Sequence, residues 1–222
     1  MLQILIVDLC GTLICEDTTR EFLRRLPLGG WRYLMRAAGF SSWASVLGRI
    51  MRRDLSRGLL VFALRGLSRG FLQAHAETYA QDRLTFARNS IVEKAIVEAR
   101  SGHIPIYLAT ATLDPVADAV VQQLGLEGCV CSLLEYDSRQ LCTGRFAVDI
   151  TGRKWSRLCE LFPLGICSAT VYTDNLDDID LIQRADKVFF LGERVQLSER
   201  IEIQPNKITF LSQSTLNSHA CN

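Results

Sequence analysis

No feature constrains this chain more than its opening stretch, where Gln3-Ile4-Leu5-Ile6-Val7 gives way at once to Asp8-Leu9-Cys10-Gly11-Thr12-Leu13. A short apolar run rich in β-branched residues, with no polar alternation, reads as a strand buried on both faces. Such a strand needs a parallel sheet with helices on either side. The run stops at a carboxylate. Open α/β sheets bind ligands at the carboxyl ends of their strands, so Asp8 stands where a reactive group would, and Gly11 lets the backbone turn tightly beside it. A strand that merely ends in a polar turn reads the same over these residues.

The rest of the chain favours the sheet. Segment 14–89 has helical spacing and few β-branched runs. Within it Arg32/Arg36, Arg49/Arg53/Arg57 and Arg65/Arg69 recur at four-residue steps, which predicts a shared helix face for each set. Leu28-Gly29-Gly30 and Gly39-Phe40-Ser41-Ser42 predict breaks between helices. Beyond it a helix is predicted over 90–100, with Ser90 as N-cap and Gly102 as terminator. Strands are predicted at 104–109, 128–134, 169–172, 188–191 and 208–211. Helices are predicted at 114–124, closed by Gly125, from Gly152-Arg153-Lys154 through Leu161, and from Asp178 to Arg184. The polar stretch 135–144 reads as a hairpin turn, and the tail after Ser212 as loose. Strands alternating with helices give an α/β fold, a Rossmann-like, doubly wound, mostly parallel sheet. The expected division is a core of 1–13 and 90–222 with an inserted α-helical cap over 14–89.

Composition narrows the class. With 222 residues, 48% hydrophobic and 22% charged, the chain has the make-up of a globular protein. Eight cysteines without a CxxC pair read as reduced thiols, and Cys129 with Cys131 as packing on a strand rather than a metal site. No secretory leader and no membrane span are read, so the expected location is cytoplasmic. The net charge of +1 hides an asymmetry. Residues 20–69 hold eleven arginines, no lysine and two acids, Glu21 and Asp54, a surplus of nine positive charges, which leaves the remainder eight negative. The segment suits recognition of an anionic substrate, contact with an anionic membrane surface through Trp31, Tyr33, Phe40 and Trp43, or a solvated face whose aromatics pack inward; for membranes the solvated face is the favoured reading. No nucleic-acid partner is expected.

Three predicted strand ends carry Asp8, Thr110 and the pair Asp174 and Asp178, while Lys154 opens a helix. Each has a plain alternative: a turn hydroxyl at Thr110, a solvated lysine at Lys154, an N-cap and first-turn acid at Asp174 and Asp178. Together they have the logic of phosphoryl transfer. Carboxylates at Asp8 and Asp174 suit Mg²⁺, a hydroxyl and an ammonium suit phosphate oxygens, and Asp8 suits in-line attack on phosphorus.

In this order the residues resemble the haloacid dehalogenase (HAD) superfamily. Asp8-Leu9-Cys10-Gly11-Thr12-Leu13 is similar to its first motif, usually DxDGT[LV]; Leu108-Ala109-Thr110-Ala111-Thr112 to the second; Gly152-Arg153-Lys154 to the third; and Tyr172-Thr173-Asp174-Asn175-Leu176-Asp177-Asp178 to the fourth. The insertion after motif one, the Asp17-Thr18 pair entering it and the hairpin before Lys154 resemble the phosphoserine-phosphatase-like branch with its helical cap. The resemblance implies a Mg²⁺-dependent phosphohydrolase acting on a small anionic phosphorylated substrate. It casts Asp8 as the nucleophile forming an aspartyl-phosphate. Gly11, Thr12, Thr110, Ala111 and Lys154 would hold phosphate. Asp8, the Cys10 carbonyl, Asp174 and Asp178 would form the metal site, and Asp17 would face substrate from the cap.

One position departs from the pattern. The second aspartate of motif one, which in such phosphatases protonates the leaving group and later activates water, is Cys10 here. A thiol with an ordinary pKa near ~8.5, set among carboxylates, does this poorly. The expectations are a slow phosphatase, one that recruits Glu16 or Asp17 as the acid, one whose aspartyl-phosphate persists, or a catalytically silent ligand-binding or partner-docking protein on the same site.

Overall fold

The strand β1 (Gln3–Val7) lies at the centre of a seven-stranded sheet, and its burial shows why a run without alternation was needed. Leu5 and Val7 point into one apolar cluster, while Ile4 and Ile6 point into the other, on the opposite face. The computed structural model describes residues 3–41, 55–162, 165–198, 200 and 207–211. After β1 come α1 (Thr18–Arg25), α2 (Trp31–Phe40), α3 (Leu55–Phe62), α4 (Arg69–Phe86) and α5 (Ser90–Ser101). The chain continues through β2 (Ile106–Leu113), α6 (Asp114–Leu124), β3 (Gly128–Tyr136), β4 (Cys142–Val148), α7 (Lys154–Leu161), β5 (Ser168–Thr173), α8 (Ile179–Arg184), β6 (Lys187–Phe190), α9 (Arg194–Ser198) and β7 (Ile208–Phe210).

The strand order is β4-β3-β2-β1-β5-β6-β7, parallel throughout except for the β3–β4 hairpin. The chain builds outward from β1 to one side, then returns to start again at β5. This makes the β1–β5 junction the switch point at which such sheets open a crevice. Val7 pairs with both Leu108 and Tyr172, so the carboxyl ends of β1 and β5 are level, while β2 runs past them to Leu113. The Asp8 N–H donates to the Tyr172 carbonyl (2.9 Å), continuing that register by one residue.

Several boundaries differ from the sequence reading. The second strand runs on through Thr110-Ala111-Thr112 to Leu113, with its pairing to β3 shifting between Ala109 and Leu113. A local irregularity of this kind re-aims side chains, here in the stretch that carries Thr110. The N-cap of α5 is Asn89, whose side chain accepts from the Ile91 N–H (3.0 Å), and Ser90 is already helical. The predicted break at Gly39-Phe40-Ser41-Ser42 holds, since α2 ends at Phe40 with Ser41 as C-cap; Gly39 itself is still helical, and a Cβ there would lie 2.8 Å from Leu60 Cγ, so its bare backbone lets α3 pack close. Arg65 and Arg69 do not share a helix face, because a turn through Gly66 and the N-cap Ser68 separates them. Arg49 and Arg53 lie outside the described residues, as do Ser42, Trp43 and the tail after Ser212.

The hairpin is where the polar stretch placed it. The Asp137 carboxylate accepts from the N–H groups of Arg139 and Leu141 (both 2.9 Å), turning β3 into β4. The helices α1, α3 and α4 share one apolar cluster with α5, α6 and one face of β1, with Phe22, Leu60, Leu72 and Ala76 fully buried in it. No helix among the described residues is long and apolar enough to cross a membrane.

Candidate active site

The level ends of β1 and β5, beside β2, bring four distant pieces of chain to one place. Asp8 is buried, and its Oδ1 accepts from the Leu9 N–H (2.8 Å) and lies 2.9 Å from Lys154 Nζ. Its Oδ2 is also buried and has no hydrogen-bond partner. Lys154 is the first residue of α7, yet it is among the largest fully buried side chains. Its Nζ lies 2.7 Å from Asp178 Oδ2, which also accepts from Thr173 Oγ1 (2.7 Å). One ammonium therefore bridges two carboxylates at the base of the crevice. The plain alternative of a solvated Lys154 is overturned, and Asp178, although it precedes α8, makes no capping bond with its side chain.

Burial governs the ionisation of this group. It raises the Asp8 carboxyl above its ordinary range, the Lys154 ammonium opposes the rise, and the charges of Asp178 and Asp174 add to it. Burial would depress Lys154, but the flanking Asp8 and Asp178 more than reverse that and hold it protonated. Asp178 is raised by burial against the pull of Lys154, and Asp174 by burial against its bond from Thr12. Asp178 Oδ1 is, like Asp8 Oδ2, a buried acceptor without a partner. Orphaned buried carboxylate oxygens are costly and call for a cation or donor.

Asp174 is fixed from the first loop. Its Oδ1 accepts from Thr12 Oγ1 (2.8 Å), and its own N–H donates back to that hydroxyl (2.9 Å). Its Oδ2 lies over Gly11, where a Cβ would stand 2.0 Å away. Gly11 also has φ +74°, so the position excludes a side chain twice over: by backbone conformation and by the carboxylate above it. Gly11 and Thr12 thus serve to seat Asp174, and neither lines the cleft described next.

A cleft of about 180 Å³ opens above this base, lined by Asp8, Cys10, Asp17, Thr110, Ala111 and Lys154. That volume suits a phosphate with a small group attached. Thr110 is buried, and its Oγ1 accepts from the Thr112 N–H (3.1 Å) and lies 3.0 Å from Thr112 Oγ1, which meets Thr18 Oγ1 at 2.7 Å. The Cys10 thiol is pushed up to about 12, first by burial and then by Asp17 and Asp8, with a bond from the Thr18 backbone opposing. It is therefore a neutral thiol. Glu16 is held by Tyr79 Oη (2.8 Å) and Arg83 Nη1 (3.3 Å) and does not line the cleft, whereas Asp17, the N-cap of α1, stands at its rim.

The helices supply lining that the motifs did not name: Arg20, Ser56 and Arg57. Arg57 reaches down to the Ala111 carbonyl (2.6 Å), Ser132 Oγ (3.0 Å) and Asp149 (3.4 Å), tying α3 to the carboxyl end of β2. Its only sign in the sequence was membership of the arginine series. Elsewhere, Cys129 and Cys131 have their Sγ atoms 4.0 Å apart on β3, with Asp118 3.7 Å from Cys129 Sγ.

A family profile described as haloacid dehalogenase-like hydrolase matches residues 5–183. No curated protein matches the chain by sequence. Among solved structures, a protein of unknown function from Bordetella pertussis Tohama I is similar at a TM-score of 0.69 and 16% identity, over 90% of this chain and 94% of that one. Cytosolic 5′-nucleotidase IIIB bound to cytidine is similar at 0.66 and 12% identity, over 97% and 84%. A phosphoserine phosphatase captured as a phospho-aspartyl intermediate analogue is similar at 0.58 and 16% identity, over 93% and 95%. At these identities the likeness is one of fold.

Proposed function

We propose that this chain, which belongs to the haloacid dehalogenase-like hydrolase family, is a slow, Mg²⁺-dependent phosphatase that works through an aspartyl-phosphate on Asp8. The observation that carries this reading is the state of the Asp8 carboxylate: Oδ1 is tethered by Lys154 and Leu9, while Oδ2 is left without a partner at the end of the central strand. A nucleophile needs one such oxygen fixed in direction and unblocked. The similar phosphoserine phosphatase with its phospho-aspartyl analogue supports the same chemistry.

The donor set fits magnesium, a hard cation that takes oxygen ligands. Asp8, Asp174, Asp178 and the Cys10 carbonyl would hold it, consistent with the unpartnered oxygen of Asp178. When bound, the ion would offset the negative charge that otherwise keeps a phosphate from a cluster of carboxylates. Lys154 and Thr110 would grip the phosphoryl oxygens, with Ala111 beside them. Asp8 Oδ2 would bond to phosphorus as the ester P–O bond breaks. Water would then cleave the acyl phosphate, releasing phosphate and restoring Asp8. We assign residues 14–89 as the cap that selects a small phosphorylated substrate, with Asp17 at the rim, over a core of 1–13 and 90–222.

Cys10 sets the rate in this reading. A thiol raised to about 12 neither protonates a leaving oxygen well nor accepts a proton from water. General acid–base help is worth roughly 10²–10⁴ in rate. The same observation favours a second reading, a protein that binds phosphorylated ligands without turning them over. Phosphate release from p-nitrophenyl phosphate and from a set of phosphorylated metabolites, with and without Mg²⁺, separates the two. Measurable turnover that Asp8→Asn abolishes and Cys10→Asp raises about 10²-fold or more supports the phosphatase. Ligand binding without turnover in parent and Cys10→Asp alike supports the silent protein.

A further inference from the structure

The helix α2 carries a row of exposed apolar side chains. Trp31, Tyr33 and Leu34 are 43%, 54% and 62% exposed. At about 100° per residue, Tyr33, Ala37, Leu34 and Trp31 fall within one arc of about 160°. All four are exposed. The other large exposed hydrophobics, Phe86, Val97, Leu133 and Leu161, lie on other elements and make no such row. Single exposed apolar residues need no explanation, but a row along one helix does.

The face is bordered by arginine. Three guanidinium groups rest on rings of this helix: Arg24 over Phe40 (5.5 Å), Arg32 over Trp31 (5.3 Å) and Arg36 over Tyr33 (5.4 Å). Arg24 is paired with Glu21 (3.1 Å), but the other two are not neutralised. Arg32 donates to the Arg65 carbonyl (2.9 Å), and Arg36 donates to the carbonyls of Leu23, Arg24 and Leu26. Among the described residues, no carboxylate pairs with Arg32, Arg36 or Arg65, and α2 holds no acid. This local excess sits within a segment, 20–69, that carries nine surplus positive charges.

We propose that α2 docks the protein on the surface of a bilayer rich in anionic phospholipid. Trp31, Tyr33 and Leu34 enter the headgroup boundary, while Arg32 and Arg36 meet lipid phosphates. Tryptophan and tyrosine favour that depth because each joins an apolar ring to a polar atom, and arginine suits phosphate through its planar fork. A nucleic acid is the poorer fit, since the ring faces that bases would stack on are covered by Arg32 and Arg36. The sequence expectation of a solvated face whose aromatics pack inward holds in part: Trp31 rests on Phe62 with ring centroids 5.6 Å apart and Phe40 packs against the core, while Tyr33 is more than half exposed. The inference is independent of turnover and survives if the phosphatase reading fails.

Flotation of the full chain with vesicles of phosphatidylcholine alone, or mixed with phosphatidylglycerol, tests it. The expected result is capture by the mixed vesicles only, weakened by molar NaCl. Capture should fall about fivefold in Arg32→Gln, which removes one unpaired charge. It should fall about tenfold or more in Trp31→Ser/Leu34→Ser, with thermal midpoints close to the parent's. Absence of capture at low salt overturns the proposal. So does capture that Leu34→Glu leaves unchanged, or retention on duplex DNA that competes with vesicles and ignores Trp31 and Leu34, which would mark a plain polyanion-binding surface.

Discussion

The floor of the cleft and the helical roof above it treat charge in opposite ways. In the floor, Asp8, Lys154 and Asp178 are all but sealed from solvent and tied to one another at 2.7–2.9 Å. In the roof, Arg32 and Arg36 are half-buried, held by carbonyl oxygens with no acid beside them among the described residues. A buried ammonium between two carboxylates survives only because each charge answers another, so the floor admits almost no substitution. Surface charge is screened and cheap to change, so the roof is free to vary with what it meets. In the proposed reading the sheet carries the chemistry, and the helices of the proposed cap are the part free to change.

Lys154→Met should break that comparison most severely. It would leave Asp8 and Asp178 buried with no counter-charge, which costs about 3–5 kcal/mol when one partner of such a pair is removed. We expect complete loss of phosphate release and a large fall in the urea midpoint. A folded variant with parental activity would show that the floor does not depend on its ammonium. Gly11→Ala should come next. The residue would hold a left-handed φ, at about 1–2 kcal/mol, and its methyl group would displace Asp174. Activity should fall far more than stability, and isothermal titration should show weaker Mg²⁺ binding.

Why these positions were readable in advance is instructive. Asp8, Lys154 and Asp174 were legible because each stands where a strand or helix begins or ends, and a parallel sheet aligns those ends; Thr110, expected at a strand end, lies inside β2. Lys154 was legible as a position but not as a buried group, since burial there depends on two carboxylates from elements some distance away in sequence. Thr12 was read as a phosphate contact, whereas its hydroxyl seats Asp174, a pairing between residues 162 apart that no local pattern encodes. Arg57 was hidden for the same reason: its partners Ala111, Ser132 and Asp149 belong to other elements. The extension of β2 through Thr110–Thr112 was missed because two threonines around an alanine suit a turn as well as a strand.

Asp114 offers a smaller test, at a site where floor and roof meet at neither end. It opens α6, is 7% exposed, and its Oδ1 accepts from the Leu134 N–H (2.9 Å). Burial raises its carboxyl to about 6, against that bond. Because the native state holds the proton more tightly than the unfolded chain, the unfolded chain loses it first as pH rises. Stability therefore falls between about pH 4 and pH 6 and stays lower above that, by up to about 3 kcal/mol. Asp114→Asn keeps the acceptor and removes the ionisation. The difference in unfolding free energy between variant and parent should grow with pH over that window, then level off. A difference that is flat, or that shrinks, would mean Asp114 ionises freely.

The weakest effect belongs to the roof. Arg36 Nη1 binds three carbonyls at the exit of α1, at 2.7–3.1 Å, in place of the usual glycine-based closure. Arg36→Gln shortens the reach and removes the charge, so α1 should lose its terminal tie at about 1 kcal/mol. Since no atom of Arg36 lines the cleft, kcat and KM for phosphate release should stay at the parental values while the thermal midpoint drops by a few degrees. A change in kcat as large as that of Gly11→Ala would mean the two layers are coupled, with helix α1 carrying the roof's geometry to Asp17 at the rim. Unchanged kcat keeps them separate: a floor whose charges make the chemistry and a roof whose charges hold helices together and face outward.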